Sequence, residues 1–190
     1  MLNKKAIQAM KDFLEALGLD LAAAGMEKTP ERVAKMYELL FDGRNKDTKE
    51  VWGETFSTEE SGIIAIQHIP FYSMCEHHLV PFFGEVHIAY VPQAGRIAGF
   101  SKFTKLVELL SHRPQLQERL TSEIADAIEQ DLGASSTMVV MEAQQLCMMM
   151  RGDLAPGIKT MTTECRGGFC ENKTLYAQAW MLLMKNNSCH

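Results

Sequence analysis

Residues 84–91 alternate, with Val86, Ile88 and Tyr90 on one side and Glu85, His87 and Ala89 on the other. That period of two predicts a β-strand with two unlike faces, and Pro92 and Gly95 supply the turn that ends it. Such a strand needs partners. Residues 63–69 are short and β-branched, 137–150 form a long apolar run rich in Val and Met, and 158–165 read as a further strand. Between them lie helical patterns. Ser101 is placed to cap a helix with Phe103, Leu106, Val107 and Leu110 on its apolar face. Arg113-Pro114 reads as the start of another, with Leu116, Leu120, Ile124 and Ile128 inward and Gly133 at its end. The tail at 171–184 reads as an amphipathic helix. Strand, strand, helix, helix, strand, strand predicts an α+β fold, an antiparallel sheet with helices packed on one face.

The N-terminal part is helical. Ile7, Met10, Phe13, Leu14 and Leu17 recur at helical spacing before Gly18. Thr29-Pro30 predicts a second helix, a capping hydroxyl followed by proline where no amide donor is needed, with Val33, Met36, Leu40 and Phe41 as its stripe. Residues 44–62 are polar and turn-rich and read as a connection. The expected organisation is a helical segment over 1–50 and a main domain over 51–190.

Bulk properties narrow the function classes. A formal net charge of −5 argues against nucleic acid as the main partner, while leaving room for a local basic pocket. No apolar run has the length a bilayer needs and no export signal opens the chain, so a cytoplasmic, non-membrane protein is expected. Cysteines at 75, 147, 165, 170 and 189 are odd in number and irregular in spacing, which does not suggest a disulfide framework.

The chemistry concentrates in Ser73-Met74-Cys75-Glu76-His77-His78. The gap between Cys75 and His78 lets a tight turn aim a thiolate and an imidazole at one metal ion. A buried free cysteine is the alternative. Cys147 is the best candidate for a third ligand, lying in a run that otherwise needs only apolar residues. Three protein ligands would leave a position open for water, as catalytic zinc sites do. His77 would then be free to move protons, or would be a histidine of no catalytic role. Arg32 and Lys35 on the second helix, Lys102 and Lys105 near a helix N-terminus, and Arg151 after the Cys147 segment would suit an anionic substrate if brought together. Each alone reads as a solvated charge.

Cys75-Glu76-His77-His78, then Gly99-Phe100-Ser101-Lys102, then Arg113-Pro114-Gln115-Leu116-Gln117-Glu118-Arg119-Leu120, then Cys147-Met148-Met149-Met150-Arg151-Gly152 resemble the GTP cyclohydrolase I family in order and spacing. The segment from Thr29 to Met36 is similar to that family's N-terminal helix, and the likeness covers roughly residues 10–168. It implies the tunnelling fold, in which subunit sheets join into barrels, usually in a homodecamer with active sites at subunit interfaces. It implies a Zn2+ ion on Cys75, His78 and Cys147, with water in the fourth place. GTP would be the substrate, opened at C8 of its guanine with His77 as proton donor; formate would leave and 7,8-dihydroneopterin triphosphate would form. Glu118 matches the residue that reads the guanine edge. Arg32, Lys35, Lys102 and Arg151 match triphosphate positions, and Ser101 and Gln117 line the same pocket.

Two positions depart from the family. Where the family has a histidine two residues before the last zinc ligand, this chain has Gln145, which hydrogen-bonds but exchanges no proton near neutral pH. In a regular strand 145 and 147 share a face, so Gln145 is expected beside the metal. Lys105 stands where the family has an arginine, keeping the charge but losing the bidentate fork. Two other readings remain: a related hydrolase that stops at a formamide or ring-opened nucleotide because of Gln145, and a non-catalytic nucleotide-binding assembly with structural zinc. Cys165, Cys170 and Cys189 read as spare thiols, with a second metal site from Cys165, Cys170 and His190 as the alternative.

Overall fold

The computed structural model describes residues 3–23, 25–150 and 157–184. Contacts group the chain into Met1–Asp42 and Gly43–His190, where the sequence pattern placed the change near residue 50. In the first unit α1 (Lys4–Ala16) packs on α2 (Thr29–Leu40). Asn3 caps α1 by accepting the Lys5 amide at 3.0 Å, and Gly18 follows it with a left-handed φ of 79°. The cap expected of Thr29 is not made. Thr29 already sits in the first turn of α2, its hydroxyl 3.7 Å from Met26 Sδ, and Lys28 takes the cap position without a side-chain bond. Pro30 fits as expected, because a first-turn amide has no helical acceptor. Of the apolar stripes, Phe13 and Leu17 of α1 and Met36 of α2 are exposed.

The second unit runs α3 (Lys49–Trp52), β1 (Phe56–Ser57), β2 (Ile64–Cys75), β3 (Pro81–Pro92), β4 (Arg96–Ile97), α4 (Ser101–Ser111), β5 (Pro114–Gln115), α5 (Gln117–Ala127), a π-helical turn at Ile128–Leu132, β6 (Ala134–Gln145), α6 (Leu146–Met149), β7 (Thr160–Gly167), α7 (Gly168–Glu171) and α8 (Lys173–Met184). The main sheet has the order β5-β2-β3-β6-β7, and all its pairs are antiparallel except β2 with β5. The alternating strand β3 lies at its centre. Val86, Ile88 and Tyr90 face α4 and α5, where Phe103, Leu106, Val107, Leu110, Leu120 and Ile124 are buried against them. Their removal from water is the main stabilising term, about 1.5–3 kcal/mol per large side chain. The other face is covered too. Ala89, Met138 and Val140 pack with Phe169, Ala179 and Leu183, so the tail helix α8 closes the side where β3 shows Ala89.

Tertiary contacts override local pattern at four places. Residues 44–62 are not a plain connection: α3 buries Val51 and Trp52, and the Trp52 ring meets Phe103 edge-on at 5.3 Å. Ser101 opens α4 without capping it, since Phe100 holds the cap position. Pro114 does not start a helix. Pro114 and Gln115 pair in parallel with Met74 and Cys75, and α5 begins at Gln117. Finally β6 stops at Gln145, so Cys147 lies in the helical turn α6 and the shared face expected of 145 and 147 is lost. Among the described residues no helix is long and apolar enough to cross a membrane.

Candidate active site

Cys75 ends β2, and a tight turn follows. Its amide donates to Val80 O at 3.0 Å, while its carbonyl accepts the amides of His78 at 3.4 Å and Leu79 at 2.8 Å. Leu79 takes a left-handed φ of 51°, which reverses the chain into β3. The turn brings His78 Nδ1 to 4.0 Å from Cys75 Sγ. Cys147 arrives from the far end of the sheet's chain path. Phe82 pairs with Gln145, so the end of β6 lies beside the start of β3 and delivers α6 to the turn. The ligand atoms of Cys75, His78 and Cys147 all lie within 4.8 Å of one another.

Two thiols and an imidazole are a donor set for a soft divalent metal, and three protein ligands leave room for a further one. The electrostatics agree. Burial raises the Cys147 thiol above its ordinary pKa, and Cys75 beside it raises it further. The Cys147 thiol therefore keeps its proton until a cation favours the thiolate. His77 projects from the same turn, exposed, with its ring 6.2 Å from that of His78.

The turn is held by residues that the sequence did not single out. The Glu76 amide donates to Gln115 O at 3.0 Å, and the Glu76 carboxylate pairs with the Arg119 guanidinium. Arg119 Nε also donates to Gln115 Oε1 at 2.8 Å, and buried Gln115 donates to Leu110 O at 3.1 Å and to Glu123 Oε2 at 2.9 Å. Their signal in the sequence was position alone, Glu76 inside the Cys75–His78 motif and Gln115 and Arg119 inside the 113–120 stretch. The ligand turn is thereby tied to α4 and α5.

Gln145 and Gln117 do meet, though not as an open pocket wall. Gln145 Nε2 donates to Gln117 Oε1 at 2.9 Å, and Thr160 Oγ1 donates to the same oxygen. Gln117 Nε2 donates to Met141 O at 3.2 Å, Thr160 O at 3.2 Å and Thr162 Oγ1 at 3.3 Å. Gln117 is buried, and both ends of its amide are occupied within the chain.

The profile of the family described as GTP cyclohydrolase I matches residues 6–184. The protein named GTP cyclohydrolase 1 from Clostridium perfringens (strain ATCC 13124) is 49% identical over 176 residues, covering 92% of this chain and 95% of its own. The GTP cyclohydrolase 1 of Halalkalibacterium halodurans is 45% identical over 181 residues, 95% of this chain and 96% of its own. That of Streptococcus pyogenes serotype M18 is 47% identical over 184 residues, 97% and 95% respectively. The chain belongs to the GTP cyclohydrolase I family.

The other positions that resemble this family's site are spread over several elements. Glu118 is exposed on the first turn of α5. On α4, Ser101 and Lys105 are exposed and Lys102 is half-buried. Arg32 and Lys35 are exposed on α2, in the first unit. Arg151 lies outside the described residues. So do Cys189, read as a spare thiol, and His190, one of the three groups of the alternative second metal site. Of the two thiols left there, Cys165 is pushed up to about 11 by burial and by Cys170 beside it.

Proposed function

We propose that this chain, a member of the GTP cyclohydrolase I family, hydrolyses GTP at C8 of the guanine ring, releases formate and forms 7,8-dihydroneopterin triphosphate. The observation that carries this reading is the convergence of Cys75, His78 and Cys147 from two distant segments, with His77 exposed beside them. We assign these three as the ligands of Zn2+. Zinc bound there supplies Lewis acidity and a water nucleophile at neutral pH.

The chain's own residues do the rest. His77 delivers a proton to the purine ring nitrogen as the imidazole opens. The Glu118 carboxylate accepts from the guanine ring N–H and amino group, so a purine without those donors leaves it unpaired. Ser101, Lys102, Lys105, Arg151, Arg32 and Lys35 form the triphosphate subsite. Lys105 binds as a point charge where an arginine would grip two oxygens. Gln117, with its amide saturated inside the chain, fixes the start of α5 and hence Glu118.

In this reading the chain acts as a homo-oligomer, a decamer with its active sites between subunits. The exposed Phe13, Leu17, Met36, Met181 and Leu182 supply apolar surface for such an assembly. A reducing cytoplasm suits thiolate ligands. A second reading is favoured by one contact. The Gln145 amide, held by Gln117, exchanges no proton, and a chain limited by that stops at the formamide.

The test is metal dependence. Protein stripped with a chelator and dialysed is assayed for consumption of GTP before and after addition of one zinc equivalent per chain. Loss and restoration of turnover is the expected result. Undiminished turnover in metal-free protein contradicts the assignment, and zinc uptake without turnover points to a structural site.

A further inference from the structure

A second set of nitrogen and oxygen donors lies in the middle of the sheet. The β2–β3 pairing runs from Ile64 opposite Tyr90 to Ile66 opposite Ile88, then slips and resumes with Ile69 opposite Val86. Gln67 and His68 therefore both stand against His87, a β-bulge, and bulges re-aim a side chain. His68 is held at a φ of 57°, a strained conformation for a residue with a Cβ. The outcome is that its ring meets the His87 ring edge-on at 4.9 Å, and its Nδ1 lies 2.6 Å from Glu85 Oε2. Ligand atoms of His68, Glu85 and His87 all lie within 4.8 Å of one another.

We propose that His68, Glu85 and His87 form a second metal site, one that takes a divalent transition ion of the zinc, nickel or cobalt class. His87 is the fixed member at 3% exposure, while the side chains of His68 and Glu85 are 49% and 50% exposed and free to close on an ion. Burial and the neighbouring His68 lower the pKa of His87, so the ring is neutral, which is the ligating form. Its Nδ1 accepts the His68 amide at 3.3 Å, longer than an ordinary hydrogen bond, and that lone pair passes readily to a cation. Donation of His68 Nδ1–H to Glu85 Oε2 fixes the ring and leaves the Nε2 lone pair for the ion, while the second carboxylate oxygen of Glu85 stays available as a ligand. Glu142, opposite Glu85 on β6 and paired with Lys159 at 2.6 Å, adds negative charge to the same face. Imidazole donors select against magnesium and calcium, which take oxygen.

This site is separate from the Cys75 group. His68 and Cys75 are both on β2, seven positions apart, on the order of 20 Å at the rise of a strand. Ions that share a reaction as a pair sit about 4 Å apart. The inner site pins the bulge; it does not join the chemistry.

Cobalt distinguishes the two sites, because thiolate ligation gives an intense near-ultraviolet charge-transfer band that imidazole and carboxylate do not. Co2+ is titrated into metal-free full-length protein, and bound metal is counted by mass analysis after gel filtration. The expected result is two equivalents per chain, with the charge-transfer band saturating at one of them. The double variant His68→Ala, Glu85→Gln, altered only at half-exposed side chains, keeps the thiolate band and loses the other equivalent. A wild-type chain that saturates at one equivalent overturns the proposal. So does a double variant, folded by circular dichroism, that still binds two.

Discussion

The side-chain amide of Gln145 donates to Oε1 of Gln117 at 2.9 Å, which ties the last residue of β6 to the first residue of α5. The residue standing where the family has a histidine is thus a strut. Replacing Gln145 with leucine is expected to lower stability by about 1 kcal/mol, the worth of one hydrogen bond, and GTP turnover by less than about tenfold. His77→Ala is expected to lower turnover by roughly 100- to 10,000-fold, the range for a lost proton donor. Steady-state assays of the two variants make the comparison, and an equal loss in both would give Gln145 a chemical role.

Gln117 carries more. Gln117→Leu removes the donor that serves Met141 O, Thr160 O and Thr162 Oγ1 and leaves Gln145 without its acceptor. A loss of about 2–4 kcal/mol is expected, since buried groups left unpaired cost more than the bond itself was worth. Urea unfolding of the metal-loaded protein measures it.

Cys75→Ser and Cys147→Ser each remove a proposed zinc ligand. Activity is expected to fall more than about 100-fold in either, beyond what loss of an outer partner to a ligand costs. Metal analysis of each purified variant checks that the fall follows lost metal at the Cys75 site.

Metal uptake there depends on pH in a definite direction. The Cys147 thiol is raised by burial and by Cys75, so it is protonated at neutral pH and binding must expel its proton. Release of the Cys147 proton on metal binding is expected, and apparent affinity rises with pH and falls on acidification, by roughly tenfold per pH unit for that proton. Competition with a chelator between pH 6 and pH 8, a window chosen on the order of a unit either side of neutrality, reads the slope.

Much of this was legible in the sequence because it is local. The Cys75–His78 spacing describes a single turn, and the apolar faces of β3 and α4 follow from periods of two and 3.6. What was not legible depended on distant partners. Trp52 is core because Phe103 comes to meet it, although it lies with Val51 in an otherwise polar, turn-rich stretch. Pro114 and Gln115 pair with a strand some forty positions earlier in the chain, and that pairing outweighs the proline's helix-start signal. Gln145 misses its expected face because β6 gives way to α6 one residue too soon for strand geometry to continue. The bulge at His68 was hidden for another reason. Alternation in β3 says nothing about a register slip in its partner.

The most direct measurement incubates zinc-loaded protein with GTP, identifies the products by mass and assays formate separately. The account predicts 7,8-dihydroneopterin triphosphate with one formate for each GTP consumed. A formamide that accumulates without formate or pterin would contradict it and show that the chain stops where Gln145 stands in place of a histidine.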